Sequence, residues 1–141
     1  MFTRILAPVD LAHKDKLGRA LNCAADLARH YGIPLAYVGV TAAAPSSVAH
    51  NPAEYEARLA EFAAAQGAAH GVTTEAHARI SHDPISDLEQ TLLRAIDEIG
   101  ADLVVMASHV PGLADRIWPS NGGRIAEHAK VSVMIVRPAE S

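Results

Sequence analysis

Short apolar runs of strand length alternate along this chain with stretches in which apolar residues recur every three or four positions. TRILAPVD (3–10) is apolar and stopped by Pro8 and Asp10, so it reads as a strand buried on both faces. From about Lys14 to Tyr31, Leu17, Ala20, Leu21, Ala24, Leu27, Ala28 and Tyr31 form one helical stripe, which Gly32 ends. IPLAYVGV (33–40) is a second buried strand. The small-residue loop after it leads to Asn51, a good N-cap, with Pro52 at the first position of a helix running to about Ala69. TTEAHARI (73–80) is more polar in its alternation and suits a strand nearer a sheet edge. Ser81 to Pro84 make a turn, and Asp83-Pro84 opens a third helix whose Ile85, Leu88, Leu92, Ala95, Ile96 and Ile99 keep helical spacing as far as Gly100. ADLVVMAS (101–108) is the most apolar strand; a helix from about Gly122 to Ala129 and a last strand, VSVMIV (131–136), follow.

The order β-α-β-α-β-α-β-α-β with helix-length connections predicts a doubly wound α/β fold: a five-stranded parallel sheet with helices on both faces. Right-handed crossovers limit its topologies, and a ligand belongs outside the carboxyl ends of the strands, where strand order reverses. That rim collects Pro8, Val9 and Asp10 after the first strand, Val40 and Thr41 after the second, and Met106, Ala107, Ser108, His109 and Val110 after the fourth. The connection from Ser108 to Asn121 is far longer than the usual two to six residues, which itself suggests a ligand or partner site.

Composition narrows the class. At 141 residues the chain fits one domain, 1–141, able to bury about two thirds of its unfolded surface. Twelve scattered Lys and Arg against sixteen Asp and Glu, net −4, argue against nucleic acid. The single Cys23 cannot form an intramolecular disulfide and reads as a buried small hydrophobe. No signal-like segment opens the chain and no apolar run has membrane length, so a soluble cytoplasmic protein is expected.

A phosphate needs backbone N–H donors, close approach and preferably a helix N-terminus. Ser120-Asn121-Gly122-Gly123 offers these, with Arg116 as added charge; the alternative is that Ser120 or Asn121 simply caps its own helix. Asp10 likewise is either a ligand group or a plain cap. Neither G-x-G-x-x-G nor G-x4-G-K-[ST] follows the first strand, which excludes a Rossmann dinucleotide turn and a P-loop. Asp10 stands without the acidic neighbours of a receiver-type phosphoacceptor. Ser108-His109 lacks the flanking glycines of a nucleophile elbow, having Met106 and Val110 instead. Eight histidines include no H-x3-H pair, and His30, His77, His82 and His128 fall on expected surfaces, so no protein-built metal centre is expected. Glu54, Glu56, Arg58 and Glu61 read as a solvated helix face. Trp118 either packs on the fourth helix or covers a ligand or partner.

ILAPVD at the start, ADLVVMASH in the fourth strand, Gly112-Leu113, Ser120 and AEHAKVSVMIVRP together resemble the universal stress protein family over essentially the whole chain. The resemblance implies sheet order 3-2-1-4-5, of the adenine nucleotide alpha hydrolase-like kind, and ATP as cofactor, with Mg2+ or Mn2+ carried on its phosphates. It implies that Asp10 and Val40 hold the adenine with Pro8, Val9 and Met106 beside them, and that Ser120 meets the phosphates next to Asn121 and Gly122. The family's loop pattern is G-x2-G-x9-G-[ST]. This chain has Ala107, Val110 and Pro119 at the three glycines, and one residue fewer between the last two. Pro119 has no N–H and Val110 crowds the backbone, while Gly112 relocates the close approach. The phrase A-S-H-x-P, followed later by Ser-Asn, resembles a glycine-poor subgroup that still holds nucleotide.

The last strand, apolar on both faces and at the edge in that order, needs cover. The resemblance implies a homodimer through Val131 to Val136, a two-fold contact using one patch twice. The expected function is a nucleotide-binding, dimeric stress-response regulator; the alternatives are a dimeric interaction module of the same fold without ATP, and a weak ATPase. The loop carries no evident base for water, so turnover is expected to be slow at most. No membrane insertion is expected, and protein partners are not specified by the chain.

Overall fold

A computed structural model describes residues 1–46, 48–83, 87–108 and 121–137. Five strands, β1 (Ile5–Pro8), β2 (Leu35–Thr41), β3 (Thr74–Ile80), β4 (Leu103–Ala107) and β5 (Ser132–Val136), form one sheet in the order β3-β2-β1-β4-β5. Every pairing is parallel, with Ile5 opposite both Leu35 and Leu103. The chain therefore winds outward through β2 and β3, then crosses β1 and winds out the other way, which puts the reversal between β1 and β4.

Alternation within the strands divides the interior into two layers. Ile5, Ala7, Val9, Leu35, Tyr37, Leu103 and Val105 pack against helices α1 (Gly18–Tyr31) and α2 (Pro52–His70). Leu6, Val38, Val40, Val104 and Met106 pack on the other face against α3 (Leu88–Ile99) and, through Ile125, α4 (Asn121–His128). The central β1 is buried throughout, whereas edge strand β3 is half-buried, as its polar alternation predicts.

The first helix begins later than its stripe suggests. Leu11–Lys16 is a tighter 3-10 segment, kinked at His13 and capped by Asp10, and the regular α-helix starts at Gly18. The cap is the cause: the Ala12 N–H donates to the Asp10 carboxylate, and i to i+3 bonds into the carbonyls of Asp10 and Lys14 wind the chain too tightly for an α turn. Gly32, at φ 65°, ends α1 in the left-handed region where a side chain would be strained. Asn51 caps α2 by accepting the Glu54 N–H at 2.8 Å, with Pro52 at the helix start. The expected opening of α3 at Asp83-Pro84 falls partly outside the described residues, but the Asp83 carbonyl accepts the Asp87 N–H at 2.8 Å just ahead of the helix. The fourth helix matches its expected span to within one residue at each end.

Candidate functional site

The rim at the reversal is built on Asp10. The Val9 N–H donates to the Val38 carbonyl at 2.8 Å, extending the β1–β2 ladder one residue and leaving Asp10 as the first residue beyond it. Only 7% exposed, its carboxylate accepts the Ala12 N–H on Oδ1 at 3.1 Å and meets His13 Nδ1 on Oδ2 at 2.8 Å. Asp10 is thus the helix cap, and that role does not exhaust it, since an ionised carboxylate has about four acceptor sites.

The other expected residues gather on the same side. Pro8 and Val9 are buried beside Asp10, and Val40 is buried at the end of β2. The neighbouring Thr41 carbonyl accepts the Ser81 N–H at 2.9 Å, tying the ends of β2 and β3 together. Met106 is buried; Ala107 and Ser108 are half-buried, and the Ser108 N–H reaches the Val136 carbonyl at 2.9 Å. A void of only about 10 Å³ lies between these strand ends and α1, among Pro8, Leu17, Leu21, Met106 and Ala107, so helix and sheet are closely packed there. His109, Val110, Gly112 and Ser120, with Pro119, Arg116 and Trp118, lie outside the described residues.

Asn121, Gly122 and Gly123 form the first turn of α4, which runs back from this rim to β5. The first N–H groups of such a helix have no intrahelical acceptor. Its far end is braced on α3: Glu89 meets His128 Nδ1 at 2.7 Å and Arg124 at 3.3 Å. The hydrogen bond to His128 is the main reason the Glu89 carboxyl is held below the usual carboxylate range, with Arg124 adding to it.

Tyr55, on α2, is a rim residue that the sequence reading missed. Its ring lies on the backbone of β2 so closely that a Cβ at Gly39 would come within 2.3 Å of its hydroxyl oxygen. Burial, and secondarily the negative charge of Asp10, push that phenol well above its ordinary pKa, so its hydroxyl stays neutral. The available signal was Gly39 itself, since a glycine inside an apolar strand marks a close approach.

His30, His82 and His128 are exposed as expected, while His77 is half-buried and bonded to Glu75 at 3.0 Å. Among the described residues no three His, Cys, Asp or Glu side chains group to hold a metal ion. Among the same residues no helix is long and apolar enough to cross a membrane. Cys23 is half-buried against the α1–α2 layer, its Sγ 3.6 Å from Met134 Sδ on β5.

Comparison with known proteins places this geometry. The sequence model of the Universal stress protein family matches residues 1–137. No curated protein matches the chain. Among solved structures, a universal stress protein in complex with cAMP superposes with a TM-score of 0.70 at 21% identity, covering 98% of each chain. A protein of the universal stress protein family from Burkholderia pseudomallei gives 0.68 at 25% identity, over 97% of this chain and 96% of that one. The universal stress protein from Archaeoglobus fulgidus in complex with dAMP gives 0.63 at 21% identity, over 94% and 96%.

Proposed function

The chain belongs to the universal stress protein family, and on that premise we propose that it is a dimeric regulator that binds ATP at the β1–β4 reversal. The observation that carries the reading is a buried, preorganised Asp10 carboxylate just past the end of β1; the parallel topology brings the chain into α4, with two glycines in its first turn, from the same side of the sheet. Two relatives of the same fold, crystallised with cAMP and dAMP, support an adenine nucleotide as the ligand class. Asp10 and the end of β2 at Val40 take the adenine, with Pro8, Val9 and Met106 as the apolar surround. Ala107, Ser108, His109, Val110 and Gly112 line the path to the phosphates, which Ser120, Asn121 and Gly122 receive. The residues fit a polyanion: main-chain donors at a helix start with no Cβ at two of three positions. Mg2+ or Mn2+ travels on the phosphates, since such ions need few protein ligands. The proposed role is occupancy rather than turnover.

The dimer forms through β5. Among the described residues this strand pairs only with β4, and Met134 and Ile135 stand 40% and 36% exposed on it, an edge that needs cover.

Denaturing the purified protein and identifying released small molecules by mass spectrometry, with a calorimetric ATP titration beside it, tests the reading. Ser120→Ala is expected to weaken ATP by about 1 to 1.5 kcal/mol, roughly tenfold in Kd. Asp10→Ala is expected to lower discrimination for ATP over GTP; equal affinity for both in wild type and variant rejects its adenine role. Flat titration heats with no nucleotide released overturn ATP binding and leave the dimeric interaction module.

A further inference from the structure

His13 stands beside Asp10, outside the residues assigned to the nucleotide. The two are three positions apart at the head of a 3-10 segment, where positions i and i+3 eclipse, so their side chains meet. The tie is double: the His13 N–H donates to the Asp10 carbonyl at 3.0 Å, and His13 Nδ1 meets Asp10 Oδ2 at 2.8 Å. Among the described residues no lysine or arginine forms an ion pair with Asp10; Lys14, the next residue along, lies over the Phe62 ring instead. An ionised carboxylate can only accept, so the proton of this bond belongs to His13 Nδ1. In the neutral ring that leaves Nε2 as an acceptor, and no hydrogen bond among the described residues occupies it. The His13 side chain is 25% exposed against 6% for Asp10, so the imidazole is the more open half of the pair.

We propose that His13 is a positioning residue of the nucleotide site: with its proton fixed on Nδ1 it locks the Asp10 carboxylate, and the pair offers acceptors alone to the N–H donors of the adenine amino group. This rests on the reading that ATP binds with its adenine at Asp10. The physical argument is one of orientation. Of about four acceptor positions on a carboxylate, Ala12 takes one on Oδ1 and His13 one on Oδ2, and the directions of those that remain are set by these two bonds. Without His13 the Ala12 N–H holds a single oxygen, and the other is free to turn. A purine with no amino group gives the pair no such donor to accept.

Two measurements on the full-length protein test this. Ring-nitrogen NMR of the ligand-free protein, at a pH where imidazole is neutral, is expected to show the His13 proton on Nδ1, and Asp10→Ala is expected to return the ring to the Nε2–H form. Calorimetry then compares ATP with the triphosphate of purine riboside, which is adenosine without its amino group. The wild type is expected to prefer ATP at least fivefold, and His13→Ala less than twofold. His13→Asn, whose amide nitrogen stands where Nδ1 stands, should restore at least a threefold preference, which a merely structural role for the ring would not do. A wild-type His13 ring protonated on Nε2 overturns the proposal, as does an undiminished preference in His13→Ala or an equal loss in His13→Asn. Those results leave ATP binding intact. Heat from neither triphosphate instead overturns ATP binding itself, and the positioning role with it.

Discussion

Replacing Gly39 by alanine tests how closely α2 is seated on the sheet at the candidate site. A Cβ there meets the Tyr55 hydroxyl at 2.3 Å and the ring atoms Cε1 and Cζ at 3.0 Å, distances that require something to move. Tyr55 is 4% exposed, so the ring cannot simply swing into water. Overpacking of this kind costs about 1 to 3 kcal/mol. Exchanging glycine for alanine within a structured element returns about 0.5 to 1 kcal/mol of backbone entropy. The net expectation is a loss of about 1.5 kcal/mol, roughly 5 °C in Tm at this chain length. In a Tyr55→Phe background the 2.3 Å contact is gone and only the 3.0 Å contacts remain, so the same substitution should be within about 0.5 kcal/mol of neutral. Urea unfolding of the four proteins, followed by circular dichroism, gives a coupling of about 1 kcal/mol if the geometry is right. Equal penalties in both backgrounds, or no penalty in either, refute the placement of Tyr55 over β2.

Met134→Asp should convert the proposed dimer to a monomer in light scattering, because it puts a charge on the exposed edge of β5; an unchanged dimer mass refutes that interface. Tyr37→Phe should stabilise the ligand-free protein by about 1 kcal/mol, since it removes a buried hydroxyl with no partner whose pKa burial pushes up to about 12. Loss of stability in urea unfolding would mean that the hydroxyl is satisfied in solution. Asp102 accepts the Thr3 and Arg4 N–H groups and the Thr3 hydroxyl at 2.9 to 3.1 Å. Burial works to raise its carboxyl pKa, but the bonds from Arg4 and Thr3 prevail and hold it below the ordinary value. Its stabilisation is therefore present above about pH 4 and is lost as the pH falls through the lower folded value. Asp102→Ala should cost about 1 kcal/mol at pH 7, a gap that narrows on acidification; a gap constant with pH rejects the assignment.

The strands, the helix termini and the polar edge strand were legible because each is written in local periodicity or in one residue type: period two or unbroken apolarity for strands, Asn51-Pro52 at a helix start, Gly32 and Gly100 at helix ends. The residues that gather at the rim were legible for a topological reason, since a doubly wound sheet brings its strand ends together whatever the side chains are. What could not be read are contacts between segments far apart in sequence. The 3-10 turn after β1 shares the stripe of α1, so periodicity ran the two together; the Asp10 cap separates them.

The brace on α4 is another such contact. His128 reads correctly as an exposed residue, yet it bonds to Glu89, thirty-nine positions earlier, and Arg124 joins the same carboxylate. Together they hold the helix, and Ile125 packs it into the α3 layer. The helix is thus held by charge and packing at its middle and far end. A helix held in that way has a fixed axis, and with it a fixed direction for its first N–H groups. On the proposed function, this is the physical sense in which a chain with Val110 and Pro119 in place of the family pattern's glycines would present an anion site.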